Sequence, residues 1–118
     1  SSPIIEQCVV LGDNRKFIGA LVVPTWATLA EWAKSQGISG SHEELATNPK
    51  VVEYLTKEVA TCCASLSAYE RVKKIAVLPR ELTLDAGELT PTLKVKRKVV
   101  NQHFADQIAQ VYEGGDGE

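Results

Sequence analysis

The apolar positions of this chain change their period along its length, and those changes divide it into elements. Ile4 to Leu11 is rich in Ile and Val and closes on Gly12, and Phe17 to Val23 is similar and stops at Pro24, so both read as strands. Residues 12–16 between them (Gly-Asp-Asn-Arg-Lys) are turn chemistry, which predicts an antiparallel hairpin. Neither strand alternates cleanly, which implies cover on both faces.

A helix is expected over Trp26–Gln36, with Thr25 or Thr28 available for capping and Gly37 as a left-handed stop. Ser41-x-x-Glu44 is a capping box for a short helix ending near Thr47. Asn48-Pro49 joins an Asx N-cap to a proline at the first helical position. Beyond it Val52, Leu55, Val59, Cys62 and Leu66 recur at steps of three and four, the stripe of a helix expected to end within 65–67. Val72 to Leu78 reads as a third strand stopped by Pro79, and the segment from Pro79 to Pro91 reads as loop. Val100, Phe104, Ile108 and Val111 mark one face of a long C-terminal helix, followed by a frayed tail over 114–118. The order predicts an α+β fold over 1–113: a small, largely antiparallel three-stranded sheet packed with helices.

Composition narrows the functional classes. The chain has 118 residues, 44% hydrophobic and 24% charged, with a net charge of -2, so basic function must sit in a local cluster. Cys8, Cys62 and Cys63 have no metal-ligand spacing and read as reduced thiols of a cytoplasmic protein; no metal site is expected. No apolar run reaches the ~18 residues of a membrane span. The abrupt start on Ser1-Ser2-Pro3 reads as that of a fragment cut from a longer protein. His42 and His103 stand far apart without a nucleophile or ligand pattern and read as surface or helix-flank residues, while Trp26 and Trp32 read as core or interface anchors.

One segment carries chemistry: Gly87-Glu88-Leu89-Thr90-Pro91-Thr92-Leu93-Lys94-Val95-Lys96-Arg97-Lys98. Four of the five residues from Lys94 to Lys98 are basic, three of them at a helix start, where the dipole disfavours cations by a few tenths of a kcal/mol each. Pro91 stiffens the preceding loop and would hold Lys94 at a fixed edge. On the residues alone, a solvated basic edge competes with a stand-alone module that binds an anionic partner such as RNA or a phospholipid head group. No Phe or Tyr is interleaved with the basic run as a stacking platform, which argues against nucleic acid.

The segment resembles the C-terminal lysine motif of the adenylate-forming superfamily, in the form carried by its long-chain fatty acyl-CoA synthetase branch, with Leu93 where most members have glycine. Tyr69-Glu70-Arg71-Val72-Lys73-Lys74 is similar to a segment those synthetases carry upstream. Val9-Val10-Leu11-Gly12-Asp13 with Gly19-Ala20-Leu21-Val22-Val23-Pro24 resembles the opening hairpin of the same domain, and Ile4-Ile5-Glu6-Gln7 the segment after its hinge. The likeness runs from Ser1 to Tyr112.

The resemblance implies the small mobile domain of a long-chain-fatty-acid–CoA ligase. Lys94 would be the lysine that assists adenylation, with Gly87, Thr90, Pro91 and Thr92 supporting its loop. ATP and Mg²⁺ would be bound mainly by a large N-terminal domain absent from this chain, and coenzyme A would be the second substrate. Where one relative supplies an arginine for coenzyme A, this chain has Thr61 and Cys62, so Arg15, Lys16, Arg71 and Lys73 remain the basic candidates for its phosphates. The fragment alone should be inactive, its uncovered interface could drive homodimerisation, and the parent enzyme could sit peripherally on a membrane.

Overall fold

A computed structural model describes residues 3–12, 15–62 and 72–113, residue 62 by its backbone only. The expected end of the third helix, Leu66, Cys63, the Tyr69–Arg71 stretch and the tail lie outside the described residues.

Strand β1 (Ile5–Leu11) pairs antiparallel with β2 (Gly19–Pro24). Helices α1 (Trp26–Ser35), α2 (His42–Thr47) and α3 (Pro49–Cys62) follow, then β3 (Lys74–Val77). Strand β3 lies parallel to β2 on the side away from β1, giving the order β1-β2-β3. A parallel neighbour needs a long crossover, and the α1–α3 segment supplies it. Six antiparallel register pairs against four parallel ones leave the sheet mostly antiparallel, as the pattern predicted. The helices α4 (Arg97–His103) and α5 (Ala105–Tyr112) complete the α+β fold.

All six residues of β2 are buried because both faces of the sheet are covered. Ala20 and Val22 face one core with Leu29, Val51, Leu55 and Val59 from the crossover helices. Leu21 and Val23 face a second core with Val100, Phe104, Ile108 and Val111. The inner face of α3 runs Val51, Leu55, Val59, so the stripe begins one residue earlier than its apolar spacing suggested, and Val52 is only partly buried.

Local signals are realised where they were strongest. Ser41 and Glu44 form the reciprocal capping box of α2, and Asn48 Oδ1 accepts from the N–H groups of Lys50 and Val51 at the start of α3. Gly37 takes the left-handed conformation (φ 75°) after α1. Thr25 is the N-cap of α1 without a side-chain cap; its hydroxyl donates to Glu6 instead. The single C-terminal helix is divided at Phe104 (φ -120°, ψ 32°). There Phe104 is buried with the Arg80 guanidinium 4.8 Å from its ring centre, and the neighbouring His103 ring reaches Glu88. No described helix is long and apolar enough to cross a membrane.

Candidate functional site: the lysine hairpin and its buried carboxylate

The segment after β3 is organised in three steps. Gln7 of β1 holds both backbone groups of Leu82, donating from Nε2 to its carbonyl (3.2 Å) and accepting its N–H on Oε1 (2.8 Å). Residues 83–88 then make one helical turn: the Thr83 hydroxyl accepts from Ala86 N–H, Gly87 N–H donates to Leu84 and Glu88 N–H to Thr83. That nested pair of bonds is a Schellman ending, and Gly87, at φ 77°, is its left-handed residue. It delivers Glu88 into the interior.

A short hairpin follows. Lys96 N–H donates to Glu88 O (2.8 Å), Leu89 and Val95 form an antiparallel bridge, and Thr90 N–H donates to Lys94 O (2.8 Å). The tip is a turn from Thr90 to Leu93 with Pro91 at its second position, where a fixed φ suits the bend. Leu93 stands at φ 66° although it is not glycine, and it is 70% exposed. A three-residue hairpin loop that ends in a left-handed residue has this form. Glycine would meet this requirement without strain, and leucine here costs about 1 kcal/mol. Thr90 Oγ1 lies 3.1 Å from Thr92 Oγ1 and accepts the Lys94 N–H at 3.0 Å.

The Lys94 side chain is exposed at this tip, and its ammonium has no hydrogen-bond or ion-pair partner among the described residues. Beside it, Leu93 and Val95 border a cleft of about 630 Å³ against Val9 of β1 and Leu82. Lys96 is the N-cap of α4 and, like Lys98, is exposed; Arg97 donates to Val10 O at 2.6 Å and fastens the helix start to β1.

Sequence reasoning missed Glu88, the one fully buried charged residue among those described. Its Oε1 accepts from Arg80 Nη1 (2.9 Å) and Thr83 N–H (3.1 Å), and its Oε2 from Arg80 Nη2 (2.5 Å). His103 Nδ1 lies 2.7 Å from Oε2 and must carry a proton there, since a carboxylate only accepts. The paired Arg80 guanidinium holds the Glu88 carboxyl down at about 2, against burial and with help from His103 and the Thr83 N–H. The visible signal was a glutamate behind a turn glycine and before a buried leucine, with an arginine after Pro79. His103 is thus a helix-flank residue, as expected, but a partnered one. His42 stacks on Trp26 (centroids 3.8 Å), and Trp32 on Tyr54 (4.0 Å).

The remaining basic candidates divide. Arg15 lies over the Tyr112 ring (5.0 Å) and Lys73 over Phe17 (5.9 Å), and these two rings contact each other at 4.6 Å, so both cations gather at the hairpin end of the sheet. Lys16 is exposed in the same turn, and Arg71 lies outside the described residues.

A mixed three-stranded sheet between two helical layers thus carries an exposed lysine on a braced hairpin. Residues 1–116 match the family model of the AMP-binding enzyme C-terminal domain, and the chain belongs to that family. It is 39% identical over 112 residues to long-chain-fatty-acid–CoA ligase FadD15 of Mycobacterium tuberculosis, covering 93% of this chain and 19% of that one. To human long-chain-fatty-acid–CoA ligase 1 it is 35% identical over 111 residues, covering 92% of this chain and 16% of the relative. The chain therefore spans less than a fifth of the length of these relatives. Its fold also matches the adenylation domain of a carboxylate reductase from Mycobacterium chelonae, with a TM-score of 0.72, 23% identity and coverage of 94% and 16% of the two chains.

Proposed function

We propose that this chain is the mobile C-terminal domain of a long-chain-fatty-acid–CoA ligase and that Lys94 assists formation of the acyl-adenylate. The observation that supports this most is the Lys94 tip: an exposed ammonium with no partner among the described residues, on a braced hairpin, inside a chain 39% identical to such a ligase. Adenylation brings a fatty-acid carboxylate against the α-phosphate of ATP, and both are anions. An ammonium between them offsets the repulsion and stabilises charge that develops in the transition state. No proton need move, and a point charge with rotatable donors is sufficient.

Gly87 shapes the turn before the hairpin, and Thr90, Pro91 and Thr92 fix its tip, so these residues support the lysine. We assign ATP and Mg²⁺ to a large N-terminal domain of the longer enzyme. Coenzyme A then attacks the adenylate and releases AMP. Its phosphates would meet the cations at the Phe17–Tyr112 end, Arg15 and Lys73, with Lys16 and Arg71 as further candidates. The domain would work by alternating between two poses on its partner, one that inserts Lys94 and one that withdraws it. We place the parent enzyme in the cytoplasm, with peripheral membrane association and homodimerisation of the isolated chain as further expectations.

The test is AMP release from ATP, palmitate and coenzyme A. The isolated chain should show none above the blank, while the full-length ligase turns over and its Lys94→Ala variant loses palmitate-dependent ATP–pyrophosphate exchange. Turnover by the isolated chain, or undiminished exchange in the variant, refutes the reading.

A further inference from the structure

The lysine hairpin is joined to the fold by the packing of Leu89 and Val95 on the second core and by the polar contacts of Glu88 at its base. Through its backbone, Glu88 closes the base of the hairpin by accepting Lys96 N–H. Through its carboxylate it binds three residues: Arg80 and Thr83 of the loop after β3, and His103 at the last position of α4. Arg80 is itself seated on the ring of Phe104, where α4 gives way to α5. A buried carboxylate is expensive to desolvate, and removing one partner of such a pair is destabilising because the other charge is left uncompensated. What the group supplies here is a fixed direction. The ladder from Glu88/Lys96 through Leu89/Val95 to Thr90/Lys94 is short, so a small rotation at its base is carried to the lysine at its tip.

We propose that Glu88, held by Arg80 and His103, is a positioning residue for Lys94, aiming the hairpin at the place where the substrate anions meet. The inference rests on the proposed role of Lys94. Carboxylate, guanidinium and imidazole do not touch substrate in this scheme; they act through the lysine. Misplacement of a catalytic group by about 1 Å can lower a rate ~100-fold, so a modest tilt is sufficient.

The test is a double-mutant cycle in the full-length enzyme, with each half-reaction measured separately. Glu88→Gln is expected to slow adenylation about tenfold and to leave thioester formation from supplied acyl-adenylate within about twofold. In a Lys94→Ala background the same change should alter the residual adenylation by less than about twofold, because nothing remains to aim. His103→Asn, which keeps a nitrogen donor near the Nδ1 position, should retain adenylation, whereas His103→Ala should not; this pair serves if Glu88→Gln fails to fold. A tenfold loss that persists without Lys94, parallel loss of both half-reactions, or equal behaviour of the two His103 variants overturns the proposal. If Lys94→Ala itself leaves adenylation intact, it is the reading of Lys94 that fails.

Discussion

Thr90 grips Lys94 from both sides: its N–H donates to the Lys94 carbonyl at 2.8 Å, and its hydroxyl accepts the Lys94 N–H at 3.0 Å. Thr90→Val keeps the shape of the side chain and removes the second bond. The change should cost the fold about 1 kcal/mol or less, because the freed N–H can turn to water. On the proposed role of Lys94, adenylation by the full-length enzyme should fall about three- to tenfold, with thioester formation unaffected. Separate assays of the two half-reactions check this.

Leu93 next to it carries left-handed strain (φ 66°). Leu93→Gly should stabilise the chain by about 0.5–1 kcal/mol, less than the strain itself because glycine also gains freedom in the unfolded state. Urea denaturation at pH 7 reads the effect. An unchanged or lower midpoint would show that the leucine is not strained.

Gly19 opens β2 beneath α5. A Cβ built there would come within 2.7 Å of Val111 Cγ1 and 3.2 Å of Lys74 O. Gly19→Ala should destabilise by about 1–3 kcal/mol through overpacking. It should also disturb the Tyr112 hydroxyl, which donates to Phe17 O at 2.9 Å. Tyr112 fluorescence followed through denaturation would report both.

Acid should weaken the fold through Glu88. Its carboxyl is lowered from 4.5 to about 2 by Arg80, so in acid the unfolded chain takes up a proton there before the folded one does. The stabilisation is therefore fully present above about pH 4.5 and is lost as pH falls toward 2, on the order of a few kcal/mol in all. Denaturation midpoints measured across that window should fall steeply in the parent chain. In Glu88→Gln, less stable at neutral pH, that part of the slope should be missing.

Much of this architecture was legible because its causes are local. A capping box needs only Ser41 and Glu44, and the start of α3 only Asn48 and Pro49. The parallel placement of β3 was not, since its partner β2 lies across three helices and the Val72–Leu78 pattern is the same for either direction. Lys94 was visible through a motif. Glu88 was not, because a glutamate in a polar loop looks solvated until Arg80 and His103, which flank it far apart in the chain, are brought together by the fold. The same holds for the break at Phe104: the apolar spacing of α4 and α5 is continuous, and the interruption coincides with contacts from another segment.

Lys94, in the role proposed for it, serves acid activation and not thioester formation. The most direct measurement compares wild type and Lys94→Ala of the full-length ligase in two assays: acyl-adenylate formation from palmitate and ATP, and palmitoyl-CoA formation from supplied palmitoyl-adenylate. Loss of at least ~100-fold in the first with the second within about twofold is the predicted result. Equal losses in both would contradict it and leave Lys94 a structural residue of the hairpin.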